Sequence, residues 1–433
     1  MLSVFQGFIG YFILIGIAIL FSTNRKAISW KLVGVGVLIQ IIFGILVTEV
    51  PFVKAGFEAV SEGFVRLLSF ADAGAEFLFG ELAKPNSPAG TGYIFAFKVL
   101  PTIIFFSTVT AGLYYMGVLQ KIVYGIAWVM SKGMRLSGAE SLSAAGNIFL
   151  GQTEAPLLVR PFIQNMTRSE LMCLMTGGMA TLAGGVLAAY VAFLGGDDPA
   201  QQAIFAAHLL TASIMNAPAG IVMAKILVPE TEEDKINTKL QVNKESLGVN
   251  IIDAMSTGAA DGLRLALNVG GMLLAFIAVI ALLNYLLMSL GGATGLNQII
   301  VDSTGGRFQG LNFQYLLGQV FRVFAFLMGS PWQDTLQVGS LLGQKTAINE
   351  FVAYLDLAKM KEAGTLSEKS IILATYALCG FSNFSSIAIQ IGGIGGMAPT
   401  QQGNLSKLGL RALLGASIAC MMTATIAGIL FEL

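Results

Sequence analysis

The sequence predicts an all-α polytopic membrane protein with eight transmembrane helices plus two re-entrant helical hairpins, set in inverted-topology repeats. Three observations carry this expectation. Of 433 residues, 55% are apolar and only 12% charged, about half the charge of a soluble domain. Eight long stretches carry no charge, and two shorter apolar segments end in buried-type polar residues. The spacing of those polar residues recurs in the second half of the chain.

The 25 basic and 25 acidic residues cancel, whereas a protein built for nucleic acid carries a basic surplus. One histidine, His208, and three scattered cysteines, Cys173, Cys379 and Cys420, cannot assemble a zinc site or a disulfide framework. No cofactor is expected.

A lysine or carboxylate at the bilayer centre costs roughly 2.5–3.5 kcal/mol, so charge-free stretches locate the spans. They are residues 1–24, 32–48, 99–120, 171–196, 199–224, 265–301, 370–406 and 412–431, each able to hold a helix of about 20 residues. No small-residue cleavage site follows the first, and Arg25 and Lys26 lie after its apolar run, so it reads as a helix and not a secretory signal. Placing Arg25, Lys26 and Lys31 in the cytoplasm puts three further basic clusters inside: Lys121, Lys132 and Arg135; Lys235, Lys239, Lys244 and Arg264; Lys407 and Arg411. Both termini then lie outside, in the periplasm of a bacterial inner membrane.

Residues 141–153 and 323–333 are apolar over lengths too short to cross, and each ends in polar residues, Gln152-Thr153-Glu154 and Gln333-Asp334. Each reads as one limb of a hairpin that enters the membrane and turns back. Residues 51–88 read as an amphipathic helix on the outer surface and 121–135 as one on the inner surface. Residues 229–246 read as a solvated cytoplasmic loop.

Four polar sites stand out. Glu154, in Gly151-Gln152-Thr153-Glu154-Ala155-Pro156, is an intramembrane carboxylate and hence a functional candidate; the plainer alternative is a hairpin tip solvated among headgroups. Glu350 follows Asn349 in the run from Gly343 to Tyr354, and its alternative is an ion pair with Lys345 or a neighbouring base. Asn383, in Phe381-Ser382-Asn383-Phe384-Ser385-Ser386, brings an amide that hydrocarbon cannot satisfy. Thr181-Leu182-Ala183-Gly184-Gly185-Val186 holds paired glycines, which either weaken a helix in mid-span or serve close packing. Asn147 and Thr181 are 34 residues apart, as are Asn349 and Asn383. Inverted repeats of this kind place broken helices and a binding site near the midplane.

At these residues the chain resembles the concentrative nucleoside transporters. The resemblance rests on the run from Asn147 to Pro156, the pattern Gly343-x-Lys345-x-x-x-Asn349-Glu350-Phe351-Val352-Ala353-Tyr354, and Gly380 to Ser386. It implies a homotrimer whose scaffold surrounds the three-fold axis, and an elevator-like transport domain that carries nucleosides such as uridine, cytidine or adenosine. It implies base contacts from Gln152, Thr153 and Glu154, ribose contacts from Glu350, Asn383 and Ser386, and pocket walls from Val186 and Phe381. It implies a coupling sodium ion at Asn147, Leu150, Thr181 and Leu182, with Leu150 and Leu182 giving carbonyls; proton coupling is the alternative. The matching division is a scaffold over 1–118, a first transport half over 119–228, a loop and scaffold helix over 229–290, and a second transport half over 291–433. An enzyme is not expected, because no nucleophile with a base and no metal cluster is present. A dicarboxylate carrier would want basic hairpin tips where this chain has Glu154 and Glu350, and a channel would want a ring repeated along a pore.

Overall fold

The computed structural model describes residues 2–84, 94–240 and 248–432. Helices α1 (Leu2–Leu20) and α2 (Trp30–Glu49) lead into the long amphipathic α3 (Pro51–Phe79). Proline opens α3, where no amide donor is needed, and Gly80 closes it at φ +57°. The expected amphipathic helix is therefore present; residues 85–88 of that stretch lie outside the described residues. Helix α4 (Phe95–Tyr115) turns at Gly117, φ +74°, into the amphipathic α5 (Val118–Met134).

The first hairpin follows. It rises as α6 (Gly138–Gly146), turns over residues 147–154, and descends through a 3₁₀ turn (Ala155–Val159) and the short α7 (Arg160–Ile163). A broken helix, α8 (Arg168–Ala180) with α9 (Gly184–Gly195), and the long α10 (Pro199–Leu227) complete this half. Helix α11 (Ile251–Ala293) crosses once, and α12 (Leu296–Thr304) and the amphipathic α13 (Phe313–Leu327) follow it. The second hairpin is α14 (Thr335–Ala347) and α15 (Glu350–Glu362). A second broken helix, α16 (Glu368–Leu378) with α17 (Phe384–Met397), and the long α18 (Gln402–Leu430) end the chain. The order amphipathic helix, hairpin, broken helix, long helix thus occurs twice.

Contacts at the hairpin bases show that the two copies are inverted. The base of the first hairpin meets the end of α10, where Lys225 Nζ lies 2.5 Å from Glu140, and Gly138 N donates to Asn237 O at 2.8 Å. Helix α11 starts on this same side, since Tyr115 Oη reaches Val249 O at 3.4 Å. The base of the second hairpin lies beyond the other end of α11. There Asp334 accepts from Ser367 Oγ at 2.6 Å and Ser370 Oγ at 2.8 Å, and Lys369 Nζ meets Glu432 at 2.7 Å. Burial pushes the Asp334 carboxyl up, but the hydroxyls of Ser367 and Ser370, with Arg307 nearby, outweigh it and hold the group below its ordinary range. Gln6 of α1 also lies on this second side, its Nε2 donating to Phe326 O at 2.6 Å. Both ends of the described chain therefore share one side.

Two expectations are corrected. Residues 323–333 are not a hairpin limb: Val323 to Leu327 finish α13, which packs along α14, and the limbs are α14 and α15. The true limb escaped notice because Gln337, Gln344 and Lys345 lower its apolarity although all three are buried. The span expected at 265–301 begins instead at Ile251, because Asp253, Asp261 and Arg264 lie on exposed faces at one end of α11. By length and composition six segments among the described residues suffice to cross a membrane, with Val4–Leu20, Phe313–Leu327 and Phe384–Met397 as shorter apolar helices; the interrupted helix expected within 370–406 is found as α16 and α17.

The two helix breaks touch at the centre. Gly380, at φ +156°, lies where a Cβ would come within 2.6 Å of Ala180 O, and Phe381 N donates to Thr181 O at 3.4 Å. Carbonyls freed by the breaks are claimed by buried side chains. Asn216 Nδ2, on α10, donates to Ala180 O at 2.8 Å and Cys379 O at 2.6 Å; Cys420 Sγ, on α18, lies 3.4 and 3.3 Å from the same two oxygens. Lys345 Nζ donates to Ala377 O at 2.8 Å. Replacing Asn216 by Leu keeps the volume and removes both amide bonds. Both carbonyls then keep only the weak Cys420 thiol donor, and each lost amide bond costs about 0.5–1.5 kcal/mol, so the detergent-solubilised variant should unfold below wild type in a thermal scan. An unchanged midpoint would show that the breaks do not depend on this amide.

Candidate functional site

The site is built where both hairpin tips meet both helix breaks. Helix α6 stops at Gly146, and the tip is tied down by Ser213 Oγ donating to Ile148 O at 3.1 Å and by Gly184 N donating to Phe149 O at 3.1 Å. A Cβ on Gly184 would fall 2.5 Å from the Phe106 ring, so glycine lets the break lie close against α4. Of the two readings of the paired glycines, the broken helix is found, and Gly184 serves close packing as well.

Glu350 opens α15 with its side chain 2% exposed. Its Oε1 accepts from Tyr190 Oη at 3.0 Å and its Oε2 from Asn383 Nδ2 at 2.9 Å. Lys345 is engaged at Ala377 O instead, and no described ion pair includes Glu350. The carboxylate is thus held by neutral donors only. Asn383 is itself fixed as the N-cap of α17, its Oδ1 accepting from Ser386 N at 2.9 Å and Ser385 Oγ at 2.7 Å. Ser386 Oγ in turn accepts from Gln152 Nε2 at 3.1 Å. One continuous chain, Tyr190, Glu350, Asn383, Ser386, Gln152, therefore joins four of the expected residues from opposite halves of the sequence.

The remaining expected residues surround this chain. Thr153 lies against α17, its Cγ2 3.1 Å from where a Cβ on Gly393 would sit. Glu154 is exposed and lines a cavity of about 480 Å³ beside the tip. Val186 is buried on α9 one turn before Tyr190, and Phe381 is half-buried at the second break. Tyr190 escaped the sequence reading, although it is the one hydrogen-bonding side chain in α9. Asn216 and Gln390 were missed as well; each is an amide inside a charge-free stretch, the same signal that marked Asn383.

Several buried oxygens here have no partner among the described residues: Asn147 Oδ1, Gln152 Oε1, Ser382 Oγ and Gln390 Oε1. Buried acceptors are ordinarily satisfied, so this cluster of open valences suits a ligand that brings its own donors or charge. For a hard cation the relevant set is Asn147 Oδ1, 1% exposed, with the carbonyls of Leu150 and Leu182, on which no described hydrogen bond ends. Thr181 Oγ1 donates to Gly177 O at 2.9 Å, which leaves its lone pairs free to join such a set.

Comparison with known proteins agrees with this geometry. Sequence profiles match for the N-terminus of Na+ dependent nucleoside transporters over residues 9–82, for nucleoside recognition over 96–197, and for the C-terminus of Na+ dependent nucleoside transporters over 208–428. An uncharacterized transporter of Haemophilus influenzae is 42% identical over 438 residues, covering 100% of this chain and 99% of its own. Sodium/nucleoside cotransporter 1 of Mus musculus is 40% identical over 427 residues, covering 95% of this chain and 61% of that longer protein. The solved structure of CNTnw in an inward-facing substrate-bound state is 39% identical with a TM-score of 0.89, covering 99% of this chain and 98% of the other. An outward-facing variant of CNTnw gives a TM-score of 0.90 at 39% identity, covering 100% and 98%. With two hairpins, two crossed helix breaks and these relatives along its whole length, the chain belongs to the concentrative nucleoside transporter family.

Proposed function

We propose that the chain imports nucleosides, such as uridine, cytidine or adenosine, in symport with sodium by an elevator-like movement, as a homotrimer in a bacterial inner membrane with both termini periplasmic. The observation that carries the reading is the Glu350 carboxylate, buried, hydrogen-bonded by Tyr190 and Asn383, and in no ion pair among the described residues. Such a group is an acceptor for hydroxyls and would repel an anionic solute. Glu350, Asn383 and Ser386 take the ribose. Gln152, with a free Oε1, takes the base together with Thr153 and Glu154, and Val186 and Phe381 wall the pocket. Sodium sits at Asn147, Leu150, Thr181 and Leu182. In this reading α3, α4 and α11 belong to a fixed scaffold, and the hairpins, the broken helices, α10 and α18 form the moving body; the 1–118 and 229–290 segments hold the scaffold and the 119–228 and 291–433 segments the transport halves.

Glu350→Gln replaces one acceptor oxygen by a donor at constant size. Uridine binding should fall by roughly 1.5–3 kcal/mol, the range for charged hydrogen bonds; calorimetry on a folded variant with unchanged affinity would remove Glu350 from the ribose site. Gln152→Ala should weaken nucleosides while leaving any affinity for free ribose nearly as it was, and equal proportional losses would make it a support for the tip. Uridine should bind more tightly as sodium is raised, and sodium more tightly with uridine by the same factor. Thr181→Val should weaken sodium first. Uridine uptake into proteoliposomes that ignores a sodium gradient and follows a proton gradient would replace sodium with protons as the coupling ion.

A further inference from the structure

Beside the first hairpin lies the cavity of about 480 Å³ that Glu154 faces. One wall, including Phe149, Glu154 and Gly184, belongs to the hairpin tip and the broken helix. The opposite wall is α4 and α11, and α11 contributes Thr257, Asp261, Arg264 and Asn268. At about 100° per residue these four fall within an arc of about 60°, a polar stripe on one face of a largely apolar helix. All four are exposed; the Asp261 and Arg264 side chains are 64% and 82% exposed and 4.0 Å apart.

The stripe is presented by a rigid pair of helices. Beside it, Gly258 and Gly262 pack so closely on α4 that a Cβ on the first would meet Ala111 Cβ at 2.5 Å, and one on the second would meet Ile104 Cα at 2.8 Å. Thr257 begins the stripe near the end of α11 that receives residues 248–250, and Asn268, about 16 Å further along the axis, ends it at membrane depth. The polar line therefore runs from the hairpin tip toward the side that carries the first hairpin's base.

We propose that this stripe is a second, weaker nucleoside subsite on the α4–α11 body, occupied as the solute passes between the hairpin tip and that side of the membrane. This rests on the nucleoside-transport reading above. The chemistry suits a neutral solute with both donors and acceptors: Asp261 accepts from ribose hydroxyls, Arg264 and Asn268 donate to base carbonyls, and Phe106 and Phe149, which line the cavity, add apolar surface for the base. A carboxylate and a guanidinium side by side cancel, so the wall neither traps nor repels an uncharged molecule.

Two measurements test it. In proteoliposomes, Asn268→Ala should slow exchange of labelled uridine about 2- to 10-fold, the value of one lost hydrogen bond, while the dissociation constant from calorimetry stays within about twofold. In a second variant, Asn268→Cys, uridine should slow modification by a thiol reagent; the native cysteines are buried. Repeating this with Gln152→Ala separates occupancy from movement: protection should persist at the same uridine concentration although the main site is weakened. Protection that shifts in parallel with the main-site affinity, no protection, or unchanged exchange would make the stripe a surface for lipid headgroups or water and overturn the subsite. A wild-type protein that binds no uridine by calorimetry fails the transport reading instead.

Discussion

A helix interrupted inside a bilayer leaves carbonyls and amides that hydrocarbon cannot solvate, and non-helical backbone survives at that depth only where protein or a water-lined cavity satisfies it. This chain has two such interruptions, and it satisfies them by crossing them. Ala180 O and Cys379 O, freed from opposite halves of the sequence, converge on one amide of Asn216 and one thiol of Cys420. Gly380 permits the approach, because any side chain there would strike the Ala180 carbonyl. Once the breaks are fixed against each other, the hairpin tips that dock on them have one available position.

The polar residues of the site follow from that position. Asn383 serves twice, capping α17 with its oxygen and holding Glu350 with its nitrogen. Removing a lone pair or a proton anywhere along the chain from Tyr190 to Gln152 leaves a neighbour unsatisfied in a low-dielectric interior, where that is most costly. At its end the chain leaves Gln152 Oε1 without a partner among the described residues. Lys345 donates to Ala377 O at the second break, so the described hydrogen bonds to Glu350 come from Tyr190 and Asn383.

Rigidity at the hairpin bases complements order at the tips. Glu140 with Lys225 closes the first base and Asp334 with Ser367 and Ser370 the second, at opposite ends of the fold. Breaking a buried ion pair by removing one partner leaves an uncompensated charge, which ties the first hairpin to the end of α10. By contrast α4 and α11 are joined by small residues at van der Waals distance, a packing mode that needs no polar partner. The cavity lies between these two differently built bodies.

Much of this could be read from the sequence alone. Charge-free stretches located most of the helices because a charge in lipid is expensive whatever the tertiary context, and Glu154, Glu350 and Asn383 were conspicuous for the same reason. The spacing from Asn147 to Thr181 and from Asn349 to Asn383 exposed the repeat. Other features had no local signal. The second hairpin's ascending limb was hidden because its polar residues are buried by α13, α16 and α15 rather than by its own pattern, so residues 323–333 looked like the better limb. Tyr190 looked like an ordinary apolar-helix tyrosine until α9 was placed against α15. Whether Glu350 pairs with Lys345 or with Tyr190 and Asn383 depends on which way two side chains five residues apart point at a hairpin tip. Helical spacing leaves both arrangements open, and only the docking of the tip onto the second break, which draws Lys345 to a freed carbonyl, decides between them.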